Sequence, residues 1–249
     1  MLGAENIPRD RPFLLVANHS GGMAVSEVLS LVLLYQRHLG GVPLAAMAHP
    51  FSFHLWPLTW GMRWTGAIPS SYDSATRALA EGCGVLVFPG GDHEVSRPFW
   101  QADHVDFNGR RGFLRIARQA GVPIVPMGIQ GSHWSAPVLW RSTWLLPRLL
   151  VLPRLFGIKR FPLTLLGAMG IVMALLVGPA HIGWPLSLGL AWLWMVSLLP
   201  FTPWVPVSIS MRVGAPLEPG ELFDGQPDEL NRAYDRVTGD VQDLVRARG

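Results

Sequence analysis

Between Arg160 and Arg212 the chain carries no Asp, Glu, Lys or Arg, while Leu and Trp abound. Two apolar runs fill this stretch, 161–179 and 185–200, separated by the turn Gly178-Pro179-Ala180-His181-Ile182-Gly183-Trp184. As helices, their Pro-bounded cores, 163–178 and 186–199, would span about 24 and 21 Å at about 1.5 Å per residue. The hydrocarbon core of a bilayer needs about 30 Å. The lengths therefore predict a membrane-embedded or re-entrant helical hairpin over 161–206 rather than two full crossings. Trp184, Trp192, Trp194 and Trp204 suit an interfacial depth. A buried helical pair in a soluble core is the competing reading, but charge-free runs of this length are uncommon there.

The net charge of +3 conceals an asymmetry. No acid occurs from Phe107 to Leu217, a stretch with nine arginines and the chain's one lysine; from Glu218 onward eight acids face four arginines. A one-signed region attracts polyanions, and beside an apolar hairpin it reads as a membrane-surface patch rather than a nucleic-acid site. The expected partners are thus membrane lipids, with no nucleic acid, at the cytoplasmic face of an inner or plasma membrane. An apolar content of 49% excludes disorder. Cys83, the one cysteine, has no internal disulfide partner, which suits a reducing compartment, and reads as a small buried filler. No signal-peptide pattern opens the sequence.

Outside the hairpin, short apolar runs alternate with helical patterns. Strands are predicted at 13–17, 44–48, 85–88 and 123–127, with 207–213 returning to the sheet. Helices are predicted at 25–39, at 74–81 with Asp73 or Ser74 as cap, and at 112–120 ended by Gly121. A closing helix at 228–246 places Leu230, Tyr234, Val237, Val241 and Leu244 on one face. This alternation argues for an α/β fold, a central mixed and mostly parallel sheet flanked by helices, with the hairpin inserted late in a single 1–249 domain.

In such sheets ligands sit beyond the carboxyl ends of strands. Two of these ends run into polar Gly-rich turns, Asn18-His19-Ser20-Gly21-Gly22 and Pro89-Gly90-Gly91-Asp92-His93-Glu94. Glycine pairs admit backbone conformations closed to other residues and let a substrate approach the main chain. His19 would lie beside the N-terminus of the following helix, whose dipole disfavours imidazolium and keeps the ring able to accept a proton. A lone histidine at a strand end is better read as structural; the second Gly-rich end tips the balance towards chemistry.

Asn18-His19-Ser20-Gly21-Gly22, Gly66-Ala67-Ile68-Pro69, Phe88-Pro89-Gly90-Gly91-x-x-Glu94 and Val122-Pro123-Ile124-Val125-Pro126, in that order, resemble the four blocks of the glycerolipid/lysophospholipid acyltransferase family. The Pro-Gly-Gly form of the third block is closer to the diacylglycerol-acyltransferase-like branch. The resemblance implies transfer of a fatty acyl group from acyl-CoA or acyl-carrier protein, a substrate rather than a cofactor, to a lipid hydroxyl. It assigns His19 as the base that deprotonates the acceptor for direct attack on the thioester, without Ser20 or Cys83 as nucleophile. Asn18, Ser20, Gly21 and Gly22, with Pro89, Gly90, Gly91, Glu94 and Arg97, would hold substrate. The Gly90 and Gly91 amides and an arginine suit an anionic oxygen, and Arg111 is a further phosphate candidate. No metal or cofactor is implied.

Most members of that family carry an Asp five positions after the histidine, where this chain has Ala24. The next acid, Glu27, would stand about 12 Å away on an unbroken helix. A looped Ser20-Gly21-Gly22-Met23 segment would instead return a first-turn Glu27 to His19 as its orienting carboxylate. Otherwise Glu27 only complements the helix dipole, and Asp92 or Glu94 orients the ring, or the chain binds lipid without turnover. A metal-dependent hydrolase built on Asp92, His93, Glu94, His104, Asp106, His49 and His54 is a third reading, without a recognised ligand spacing.

Overall fold

The computed structural model describes residues 1–20, 26–35, 41–54, 58–151 and 160–247. Its strands are β1 (Leu14–Ala17), β2 (Leu44–Ala48), β3 (Ala67–Pro69), β4 (Gly84–Val87), β5 (Ile124–Gln130), β6 (Val138–Ser142), β7 (Phe161–Thr164) and β8 (Ser210–Val213). Six of them form one sheet in the order β3-β2-β4-β1-β5-β8, and β6 pairs with β7 separately. The first five run parallel and β8 is antiparallel to β5, so the sheet is mixed and mostly parallel. β1 lies centrally between β4 and β5, and all four residues of β1 and of β4 are buried. Strands covered on both faces read as continuous apolar runs, which is why both were visible in the sequence.

Side chains alternate across the sheet. Leu14, Val16, Val85 and Val87 face one layer with α3 (Tyr72–Ala80) and α5 (Gly112–Ala120). Leu15, Ala17, Leu86 and Met127 face the other, where Leu31 of α1 (Ser26–Leu34) and Tyr35 pack. Two short helices, α2 (Leu58–Trp64) and α4 (Asp92–Val95), lie on the connections. The cap of α3 is Ser71, whose Oγ accepts the Ser74 N–H at 3.2 Å, a few residues earlier than the expected Asp73 or Ser74. β5 runs three residues beyond Met127 because Met127–Gln130 pairs with β8, which itself starts at Ser210 rather than at 207. Cys83 is half-buried against the first core layer.

After the β6 strand come α6 (Leu145–Leu150) and, following β7, the helices α7 (Leu165–Leu176), α8 (Gly178–Ile182) and α9 (Trp184–Val196). The predicted hairpin is therefore two helices of 12 and 13 residues with a short helix at the bend. At about 1.5 Å per residue they reach about 18 and 20 Å, shorter than the Pro-bounded runs, and among the described residues no helix is long and apolar enough to cross a membrane. Thr164 starts α7 by accepting the Gly167 N–H at 3.0 Å while donating to the Pro200 carbonyl at 2.7 Å. Phe161, Leu150, Met195 and Phe201 close a small core beneath the hairpin. Its outer faces are bare: Met173, Leu176, Leu186 and Leu198 are each more than 60% exposed.

The chain closes through α10 (Pro219–Leu222) and α11 (Glu229–Arg246). The buried line of α11 is Ala233, Val237, Val241 and Val245, with Leu230 and Tyr234 packed at its edge. This shifts the predicted face by about one residue, and Leu244 instead lies over β5. A Cβ on Gly128 of β5 would stand 2.7 Å from the Leu244 backbone, so only glycine allows the helix this close.

Candidate active site

The sheet delivers His19 to the carboxyl end of its central strand, and its two neighbours fasten it to β5 and to the turn that follows β5. The Asn18 amide donates to the Ile129 carbonyl at 2.9 Å and accepts the Ile129 N–H at 2.8 Å. Ser20 Oγ is bonded to Ser132 Oγ and accepts the Ser132 N–H at 3.1 Å. Asn18 and Ser20 are both fully buried, so their side chains frame the turn rather than face a substrate. Gly21, Gly22 and Ala24 lie outside the described residues.

The main chain of His19 is held from the opposite side by the turn after β4. Its N–H donates to Glu94 Oε2 at 3.0 Å, and its carbonyl accepts from Arg97 Nη2 at 2.8 Å. Glu94 Oε1 also accepts the Asp106 N–H at 3.2 Å and lies 3.5 Å from Arg97 Nη1. Arg97 donates further to the carbonyls of Ala102 and His104. Burial pushes the Glu94 carboxyl up to about 7, against the pull of Arg97 and of the His19 N–H. Burial likewise lowers the Arg97 guanidinium from its ordinary value. Both side chains are almost wholly inaccessible, so the pair expected to hold a head group instead locks the backbone of His19. Gly90 makes this possible, because a Cβ there would stand 2.3 Å from the Glu94 side chain. Gly91, at φ +46°, turns the chain into α4.

With its backbone fixed, the His19 ring stacks on Phe88 at 4.1 Å and 14°. Its Nδ1 lies 3.0 Å from Oε1 of Glu27, which stands in the first turn of α1 and is fully buried. A carboxylate accepts, so Nδ1 is the protonated nitrogen and Nε2 carries the lone pair. Glu27 Oε2 has no partner among the described residues. A buried acid left partly unsatisfied is costly, and packing alone gives no reason to keep one here.

A second shell of charge wraps the outside of α4. Arg110 donates to the carbonyls of Pro89 and Gly90 and to Asp92. Arg160 donates to the other Asp92 oxygen at 2.9 Å. Burial pushes the Asp92 carboxyl up, but these two guanidiniums outweigh it and hold it below its ordinary value. His93 sits between Asp106, at 2.7 Å from Nε2, and Arg141, at 3.1 Å from Nδ1. Arg111, the expected phosphate ligand, points elsewhere: it lies over the Tyr234 ring of α11 at 5.5 Å. Arg141 and Arg160 thus join the site without having been singled out for it. Of the residues in the metal-ligand reading, Asp92, His93, Glu94 and Asp106 are engaged in these pairs, and among the described residues no group of three or more His, Cys, Asp or Glu is placed to hold a metal ion.

The fold is that of a solved lysophosphatidic acid acyltransferase from Thermotoga maritima, with a TM-score of 0.51 over 99% of this chain and 72% of that one, at 19% identity. An uncharacterized protein of Mycobacterium tuberculosis is 33% identical over 174 residues, 68% of this chain and 47% of its own length. One of Mycobacterium leprae is 29% identical over 162 residues, 65% of this chain and 42% of its own. The chain thus spans less than half the length of these relatives. The model of the Acyltransferase family matches residues 1–130, a segment that contains His19, Glu27 and the whole turn from Phe88 to Arg97. The chain belongs to the Acyltransferase family.

Proposed function

We propose that the chain transfers a fatty acyl group from an acyl thioester, acyl-CoA or acyl-carrier protein, to a hydroxyl of a glycerolipid or lysophospholipid, with His19 as general base. The observation that carries this reading is the 3.0 Å contact between His19 Nδ1 and the buried Glu27. Nε2 of His19 takes the proton of the acceptor hydroxyl as its oxygen attacks the thioester carbonyl. The imidazolium so formed is stabilised by Glu27, the C–S bond breaks, and the proton passes to the departing thiolate. General-base assistance of this kind is worth on the order of 10²–10⁴ in rate. Ser20 is not needed as a nucleophile, since its Oγ is buried against Ser132. The name of the Thermotoga maritima structure and the family membership both favour a glycerolipid acceptor.

The exposed apolar faces of α7 and α9 would rest in the lipid surface, close to their substrate. Monomeric soluble proteins rarely expose contiguous apolar patches beyond a few hundred Å². Arg160, immediately before β7, and Arg148, over the Trp144 ring at 4.7 Å, would meet anionic head groups beside the hairpin.

The test is thiol release from a long-chain acyl-CoA, and from acyl-carrier protein, by detergent-purified protein over a panel of lipid hydroxyl acceptors, with His19→Ala in parallel. Acceptor-dependent release that disappears in the variant supports the proposal. Release unchanged by the substitution, or none with either donor, overturns it. Liposome flotation of Leu176→Asp/Leu198→Asp tests the membrane face, where binding as strong as that of the unmodified chain would refute it.

A further inference from the structure

Beyond the carboxyl end of β5, next to the His19 turn, lies a cavity of about 400 Å³ lined by Phe99, Trp100, Asp103, Gln130, His133 and Trp134. The aromatic rings meet at steep angles: Phe99 and Trp100 at 5.3 Å and 76°, Phe99 and Trp134 at 5.4 Å and 54°. Rings set this way make the walls of a corner, not the flat platform on which a planar base or a sugar face would stack. The charge of the lining is one-sided. Asp103 supplies a carboxylate, held by the Gln130 amide at 2.9 Å, and no Lys or Arg is among the described lining residues; the Arg97 guanidinium lies behind the wall, bonded to the Ala102 carbonyl. Burial holds His133 below its ordinary value, which disfavours a positive charge there. It is only 6% exposed, and its Nδ1 has no partner among the described residues. In a chain of net charge +3 with a long acid-free stretch, a carboxylate among aromatic walls marks a place that selects against anions.

Ring faces attract cations through their quadrupole, most strongly when several faces and a carboxylate act together. We propose that this cavity receives the alkylammonium head of a lipid, quaternary or primary. Its place in the molecule ties it to the acceptor. Ala102 lies in the cavity wall, and the Arg97 Nη2 that donates to the Ala102 carbonyl also donates to the carbonyl of His19. A head group seated here would leave the hydroxyl-bearing part of the same molecule on the His19 side of that shared guanidinium. The assignment to an acceptor rests on the acyl-transfer reading, whereas binding of the cation does not.

The experiment is calorimetric titration of the detergent-purified full chain with choline, with ethanolamine, and with the uncharged analogue of choline in which carbon replaces nitrogen. Saturable binding of either cation at least about tenfold tighter than the uncharged analogue is expected. The two cations separate a quaternary from a primary ligand. Asp103→Asn and Trp100→Ala should each weaken cation binding several-fold; Asp103 and Trp100 are exposed, so neither change disturbs the core. Equal affinity for choline, ethanolamine and the uncharged analogue overturns the proposal, as does undiminished binding by both variants. A thiol-release assay that fails while cation binding holds removes the acyl-transfer reading and leaves the site standing. In the reverse case, transfer that proceeds with no preference for ammonium-bearing acceptors removes the site from the reaction.

Discussion

Glu27→Gln is the substitution that separates chemistry from packing at this site. Glutamine keeps the volume of the buried side chain but removes its charge and presents two N–H donors. Where its NH2 faces Nδ1 of His19, that nitrogen becomes the acceptor, its proton moves to Nε2, and the nitrogen that must take the acceptor's proton loses its lone pair; where its carbonyl faces Nδ1, the tautomer is kept and only the carboxylate's charge is lost. The lost attraction between an imidazolium and a carboxylate about 4 Å apart is about 4 kcal/mol at an effective dielectric of about 20. That corresponds to about 10³ in rate. Steady-state thiol release is therefore expected to fall by 10²–10³ in Glu27→Gln, within the range of general-base assistance as a whole.

Two further readings guard the inference. Because Glu27 acts through the ring, Glu27→Gln should cost nothing more in a His19→Ala background. Because Glu27 is fully buried with one oxygen unpartnered among the described residues, removing its charge should leave thermal stability equal or higher. Three results would refute the reasoning: a rate within about threefold of the unmodified chain, losses that multiply in the double variant, or a melting temperature that falls together with the rate.

Three other outcomes follow from the geometry. Glu94 is raised to about 7 from 4.5, so the folded chain holds this proton more tightly than the unfolded one; the term favours the fold below about pH 4.5 and is lost as pH rises to about 7. Denaturant midpoints should thus decline over that window in the unmodified chain and less steeply in Glu94→Gln; equal slopes would contradict the assignment. Asn18→Ala leaves the Ile129 N–H and carbonyl without their partner and should cost on the order of 3 kcal/mol in chemical denaturation, a loss under about 1 kcal/mol being incompatible with the double hydrogen bond. Gly239→Ala, within α11 where an added Cβ meets nothing within 4 Å, should stabilise by about 0.5–1 kcal/mol, and any destabilisation would count against the helix packing described.

The central strands and α5 were readable from sequence because their burial is complete and local: β1 and β4 are covered on both faces, and Gly121 ends its helix at φ +64°. β3 escaped notice because three residues at a sheet edge, ending in proline, leave no pattern. The β6–β7 pair escaped because its partners are far apart in sequence and one contains Pro162. Within the site, spacing told which residues share a turn but not which way each faces. Arg110 and Arg111 are adjacent, yet one reaches the carbonyl of Gly90 and the other lies over Tyr234. Glu94 and Arg97 were assigned to the substrate on the family resemblance of the third block, which carries no information on which way each side chain faces. Here a backbone histidine amide and carbonyl compensate them instead.

That reassignment alters what the third block does. A base that takes a proton from a hydroxyl must be placed within a few tenths of an ångström, and pre-organisation of this kind comes from the groups behind it. His19 is fixed through five contacts: Asn18 to β5, Ser20 to Ser132 just beyond it, Glu94 and Arg97 to its own main chain, and Phe88 against its ring. Only then does Glu27 set the proton. The glycine at 90 belongs to this scheme, since any side chain there would occupy the space of the Glu94 carboxylate. The Pro-Gly-Gly-x-x-Glu arrangement therefore specifies a buried frame, in which the glutamate can fold back beneath the histidine because the residue four positions earlier has no Cβ.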